Sequence, residues 1–221
     1  RTQCHALGKD LCRGHKSRWE DRCDGGKYNL TGSENSAWIW DAASGQLSGS
    51  SLQHQDQVVA VAFSGDGQTL LTGSYDRTAK LWDAATRKPI GQPLQNEDAV
   101  QAVAFSPDGR TVATANWSST VRLWNRPERS WGRKILRSSH SVEALALDRI
   151  GGPVVIGCSN GTAELWDTAT GTRVRVLAGH NGPVRAVAFS PSGRTVVTGG
   201  RDGVARLRDI ETGEVISEPL L

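Results

Sequence analysis

The sequence predicts an all-β chain built from about five small, four-stranded antiparallel sheets repeated at a fixed interval. Three observations predict it. Trp40, Trp82, Trp124 and Trp166 stand 42 residues apart, and the next step falls on Arg208. The stretch TGSYDRTAKLWD at 72–83 returns as TANWSSTVRLWN at 114–125. Every interval also holds four short strand patterns, apolar in the first and polar in the last. A constant period of this size marks an array of supersecondary units that bury their apolar faces against one another.

The elements follow in order within each repeat. The first is VVAVAFS (58–64), VQAVAFS (100–106), VEALALD (142–148) and VRAVAFS (184–190). Short β-branched runs of this kind read as buried strands. Ala60 and Ala62 give one face that a neighbouring sheet can approach closely, while Val61 and Phe63 give a bulky opposite face. The turns SGDGQ, SPDGR, DRIGG and SPSGR come next, with Pro, Asp or Ser, and Gly where a tight turn needs them. Second strands (TLLTGS, TVATAN, PVVIGC, TVVTGG) lead through a polar turn to third strands (TAKLWD, TVRLWN, TAELWD, VARLRD). Outermost segments such as KPIGQPL and EVISEPL are polar and carry Pro, as an edge strand does. Four antiparallel strands, apolar inside and polar outside, make the blade of a β-propeller.

Here the residues reach a family. The LWD ending at the Trp column, with His54 and His180 standing 28 residues before that column, resembles the WD40 repeat family over residues 28–221. The resemblance implies a propeller with blades at about 14–52, 53–94, 95–137, 138–178 and 179–221, and residues 1–27 as an irregular, degenerate start of the first. Propellers of this family commonly close with seven blades. The chain has no Met, a damaged first repeat and a last residue just past an outer strand. It is therefore expected to be an incomplete array from a longer propeller, with a closed five-bladed ring as the alternative.

The resemblance also implies a buried hydrogen-bond chain of Trp, Ser/Thr, His and Asp within a blade. Trp only donates and Asp only accepts, so a hydroxyl and an imidazole can stand between them. The second blade carries His54, Thr72, Asp76 and Trp82. The third keeps Thr114 and Trp124, with Asn96 and Ser118 substituted. The fourth keeps Trp166, with Ser138, Ile156 and Asn160 elsewhere. The fifth keeps His180, Thr198 and Asp202, with Arg208 in the Trp position and Asp202 as its suggested partner.

His54, Thr72 and Asp76 look like a catalytic triad, but a set that recurs at the blade period reads as structure, and no exposed nucleophile with an oxyanion site is marked out. Cys4, His5, Cys12 and His15 lack the paired spacings of a zinc site. No metal and no cofactor are expected. The TGS and TGG stretches have no Lys-Ser/Thr after them and no helix to supply a dipole, so they read as bulges or turns and not as phosphate loops.

Net charge is +3, and residues 1–27, with seven basic against four acidic residues, account for it. A balanced body argues against a nucleic-acid footprint. No apolar run reaches the ~20 residues of a membrane span, and no apolar leader is visible. Four Cys in 221 residues do not form a disulfide framework, which fits a reducing, cytoplasmic setting.

Comparison of the repeats with one another separates fold from function. In the innermost strand the column Val59, Gln101, Glu143, Arg185 varies amid near-identical neighbours. The turn column Glu34, Tyr75, Trp117, Ser159, Arg201 varies as well and emerges on the same side. Tyr75, Trp117, Arg201, Gln101, Glu143 and Arg185 are thus the candidate partner-binding residues, for a protein or peptide. The expected function is a non-catalytic interaction scaffold. The alternatives are a regulatory or sensor module of a larger protein, partnered by other blades of its own chain, and an enzyme with a channel active site. The last is disfavoured because Glu143 is the lone carboxylate in the inner variable column.

Overall fold

The computed structural model describes residues 20–22, 28–33, 35–125, 132–148 and 152–216. Every regular element among them is a strand, and none is a helix that could cross a membrane. Cys4, His5, Cys12, His15, Trp19, Cys23, Glu34 and Trp131 lie outside the described residues.

The first sheet joins β1 (Glu20–Arg22), β2 (Tyr28–Ser33), β3 (Ser36–Asp41) and β4 (Leu52–Gln53) in chain order. The second joins β5 (Val58–Phe63), β6 (Thr69–Ser74), β7 (Thr78–Asp83) and β8 (Leu94–Gln95). The third joins β9 (Val100–Phe105), β10 (Thr111–Asn116), β11 (Thr120–Asn125) and β12 (Gly132–Arg137). The fourth joins β13 (Val142–Leu147), β14 (Val154–Cys158), β15 (Ala163–Trp166) and β16 (Arg173–Leu177). In the fifth, β17 (Val184–Phe189), β18 (Thr195–Gly200) and β19 (Ala205–Asp209) are described. All pairings are antiparallel, so each sheet is a meander whose first strand lies innermost.

Successive sheets pack through their inner strands, β5 on β9, β9 on β13 and β13 on β17. One apolar cluster fills each junction. Ile39, Val61, Leu70 and Trp82 fill the first, and Ala62, Leu71, Leu81, Val112 and Trp124 the second. Leu123, Leu136, Val142, Ile156 and Trp166 fill the third, and Val155, Leu165, Leu177 and Val196 the fourth. The alternation works as the inner strand requires: Val61 faces the sheet before it, and Ala62 faces the sheet after it. Ala186 and Ala188 are exposed in the fifth sheet, where their equivalents Ala60 and Ala62 in the second are buried. Among the described residues the five sheets do not close into a ring.

The Ser-x-Asp-Gly turns between first and second strands are built from side chains. The Ser64 hydroxyl donates to Asp66 Oδ1 at 2.6 Å, and the amide of Gln68 donates to the same oxygen at 2.9 Å. Gly67 takes φ +68°, a left-handed conformation that a Cβ disfavours. Glycines of the TGS and TGG stretches belong elsewhere: Gly73 and Gly199 lie inside β6 and β18. The irregularity in the ladder falls instead on the inner strand opposite them.

Candidate functional site

Two arrangements carry the polar chemistry of the array: a buried chain inside the second to fifth blades, and a line of variable residues at one end. The buried chain is complete in the second sheet. The indole N–H of Trp82 donates to Thr72 Oγ1 at 2.9 Å, and Thr72 Oγ1 lies 2.6 Å from His54 Nε2. His54 Nδ1 lies 2.9 Å from Asp76 Oδ2. Only one direction satisfies every member: the indole and the hydroxyl each donate onward, and Nδ1–H donates to the carboxylate. Thr72 is fully buried, and no hydroxyl is presented to a substrate.

In the third sheet the chain is shorter. Trp124 donates to Thr114 Oγ1 at 3.0 Å, which donates to Asn96 Oδ1 at 2.9 Å. The Asn96 amide then donates to the Leu94 carbonyl, so a side-chain amide replaces imidazole and carboxylate together. Ser118 takes no part and donates to Asn116 Oδ1.

The fourth sheet solves the problem with a residue that the repeat pattern did not mark. Ile156 occupies the hydroxyl position and stands directly across the ladder from Glu164. Glu164, buried, accepts from the Trp166 indole at 3.0 Å and from Arg173 Nη1 at 2.8 Å. A carboxylate from the third strand thus stands in for a hydroxyl on the second, and Arg173 neutralises it. Ser138 meets the Cys158 thiol, whose pKa burial pushes up, and Asn160 meets His140.

In the fifth sheet His180 spans Thr198 Oγ1 (2.8 Å) and Asp202 Oδ1 (3.0 Å). With Arg208 in the Trp position, no indole donates to Thr198. Arg206 Nη1 also stands 2.8 Å from His180 Nδ1, which donates to Asp202 in one tautomer or accepts from Arg206 in the other. Asp202 is paired by Arg206 at 3.1 Å, not by Arg208. Arg208 is buried and donates to the carbonyls of Gly213 and Ala178, whose loss of solvent it offsets. The suggested Arg208–Asp202 pair is therefore replaced by one from the Lys80, Arg122, Glu164, Arg206 column, which repeats at 42 residues and begins at Trp38. That periodic column was the signal available in the sequence.

These chains are acid-sensitive in a defined sense. Burial alone would raise Asp76, but hydrogen bonds from Thr78, the Gln55 amide and His54 outweigh it and hold its pKa at about 2. Burial lowers the His54 pKa against the pull of Asp76. Both groups bind fewer protons folded than unfolded, so their contribution is present above the unfolded pKa values and falls as pH drops. The thermal midpoint is expected to decline from about pH 6.5 as His54 resists protonation, and again between about pH 4 and about 2 as Asp76 does. Asp76→Asn reduces the second decline in a pH series of thermal melts without abolishing it, because hydrogen bonds also hold Asp202, Asp66 and Asp108 below the ordinary carboxylate range.

The variable line begins at the inner strands, with Val59 buried and Gln101, Glu143 and Arg185 half-buried. Val58 pairs with Ser74 and Ala60 with Gly73, which leaves Val59 without a place in the ladder. The same register shift leaves out Gln101, Glu143 and Arg185 in the next three sheets. The variable column is thus the extra residue of a β-bulge, a device that frees one side chain and re-aims it. Glu143 and Arg185 meet across neighbouring sheets at 2.5 Å. Gln101 keeps a buried Nε2 with no hydrogen-bond partner.

The turn column lies at the same end. Amide N–H groups of Tyr75, Trp117, Ser159 and Arg201 donate to the carbonyls of Gln57, Ala99, Ser141 and Pro183, just before each inner strand. Tyr75 and Trp117, from adjacent sheets, bring their ring centroids to 5.3 Å with planes tilted by 49°. Trp117 is 55% exposed, and Arg201 is exposed. Of the six candidate residues, the structure brings together Tyr75 with Trp117 and Glu143 with Arg185. The bulge itself was hidden, because the inner strand reads as plain alternation.

The model of the family described as WD domain, G-beta repeat matches residues 45–83, 88–125 and 171–209, just over half of the chain. The unmatched interval between 125 and 171 holds most of the fourth repeat, where the buried chain is the most altered. No curated protein matches the chain.

Proposed function

Since this chain belongs to the WD40 repeat family, whose members generally hold protein partners, we propose that it is a non-catalytic protein–protein interaction scaffold. In this reading its docking surface is the end of the array that carries Tyr75, Trp117, Gln101, Glu143, Arg185 and Arg201. One observation carries the reading: four successive sheets each release one inner-strand side chain from the ladder, at the end where the aromatic pair emerges. A surface of aromatics with both charge signs has the make-up of a peptide or protein interface. The recurrent His–Thr–Asp sets are spent on internal hydrogen bonds and support no catalytic role.

The test is a titration. A partner isolated on the immobilised chain is titrated against the double variant Trp117→Ala/Arg201→Ala, with Gln68→Ala at the opposite end as control. The double variant is expected to weaken binding at least about tenfold, as loss of an exposed aromatic anchor does. Unchanged affinity, or a loss confined to Gln68→Ala, places the interface elsewhere.

A further inference from the structure

Resting on that reading, we propose that the second and third blades form an acceptor for a basic side chain, arginine or lysine, of an extended peptide segment of the partner. Four residues build it: Tyr75, Trp117, Asp56 and Asp98. The two rings stand 5.3 Å apart at 49° and form a tilted pair, with Trp117 mostly in solvent. Ring faces are negative, and a guanidinium or ammonium is attracted to them, most strongly by Trp.

The carboxylates come to the same place through the backbone. Tyr75 N–H donates to the carbonyl of Gln57 at 2.9 Å, the residue after Asp56. Trp117 N–H donates to the carbonyl of Ala99 at 3.3 Å, the residue after Asp98. Each carboxylate is anchored through one oxygen: Asp56 Oδ1 accepts from Gln57 N–H at 2.7 Å, and Asp98 Oδ1 from Ala99 N–H at 2.8 Å. Two blades in succession therefore carry an aspartate next in sequence to the residue whose carbonyl holds the aromatic residue's amide, at one end of the sheet.

Comparison with the other repeats shows that the two columns change together. Where the second and third repeats have Asp56 with Tyr75 and Asp98 with Trp117, the fourth has His140 with Ser159 and the fifth Gly182 with Arg201. The acid and the ring are lost at the same blade. The neighbouring charges do not cancel the pair. Glu97 is committed to the buried Arg122 guanidinium. Arg77, exposed in the Tyr75 turn, is the one basic residue of that turn, and its carbonyl accepts from Asn96 N–H. The end is thus polarised, with acid and aromatic over the second and third blades and Arg201 over the fifth. A cation held between ring and carboxylate loses less on leaving water than at either alone.

The probe is a fluorescein-labelled ten-residue peptide of alternating Arg and Ser, read by fluorescence anisotropy at low salt. Two controls have the same length, one with Glu and one with Gln in place of Arg. The Arg peptide is expected to bind, the Gln peptide to bind at least about tenfold more weakly, and binding to weaken as salt is added. Trp117→Leu is expected to weaken the Arg peptide about three- to thirtyfold, Trp117→Phe less, as an interaction with the ring face predicts. Asp56→Asn and Asp98→Asn each weaken it, while Gln68→Ala at the opposite end does not. Equal binding of the Glu or Gln peptide, or equal effects of Leu and Phe at 117, overturns the proposal. Circular dichroism of each variant establishes that the fold is retained. If these results fail while the captured partner still depends on Trp117 and Arg201, the docking end stands and its preference for a cation falls.

Discussion

Thr72→Val is expected to cost about 2–4 kcal/mol of folding stability, although Val has nearly the shape of Thr. The hydroxyl it removes lies between two buried groups. The Trp82 indole N–H loses its acceptor at 2.9 Å, and His54 Nε2 loses its donor at 2.6 Å. Neither has water to turn to, because Thr72, His54 and Trp82 are all buried. A stranded buried polar group costs about 1–3 kcal/mol, and two are stranded here. Thr114→Val is expected to cost less, since it strands the Trp124 indole but leaves the Asn96 amide bonded to Leu94. Urea unfolding followed by tryptophan fluorescence measures both. A Thr72→Val cost below about 0.5 kcal/mol refutes the view that the chain supports the blade.

Gly157→Ala is expected to destabilise by about 1–3 kcal/mol, through overpacking at the junction of the fourth and fifth sheets. A Cβ at Gly157 would stand 2.8 Å from the Val184 carbonyl oxygen and 3.0 Å from its Cγ1. Backbone cannot move aside as a side-chain end can, and Val184 opens the inner strand of the next blade. At Gly199, the same column one blade on, the nearest atom is the Ala186 Cβ at 3.5 Å, an ordinary contact. Gly199→Ala is therefore expected to be neutral or to stabilise by up to about 1 kcal/mol, because glycine weakens a strand interior. Paired thermal melts decide it. Equal effects at the two sites show that the approach of the next blade is not what fixes glycine at 157.

The blades were legible in the sequence because a period of 42 residues constrains every strand at once. The inner-to-outer order followed from the apolar runs and the Pro-bearing edges. What stayed hidden depended on contacts between strands. Glu164 reads as a solvated charge in a strand, and only its position across from Ile156 shows why it is buried beside Trp166. Arg208 seemed suited to Asp202 by column, but Arg206, on the same face of β19, stands opposite Thr198 and nearer the turn that carries Asp202, while Arg208 stands farther off opposite Val196. The candidate docking residues were visible only as variation, since a bulge is a matter of register and leaves alternation in the sequence intact.

The bulge has a consequence for how such a chain can change. Val59, Gln101, Glu143 and Arg185 carry no ladder partner, while the residues on either side hold the sheet and the junctions. Substitutions at these positions leave the pairing of the ladder intact, and act instead through the packing of buried Val59, the ion pair of Glu143 with Arg185 and whatever the end of the array touches. Selection can alter these positions blade by blade, with Glu143 and Arg185 coupled through their ion pair. Specificity becomes an inheritable variable with its own address in each repeat, and the scaffold retains mutational robustness while its partners drift.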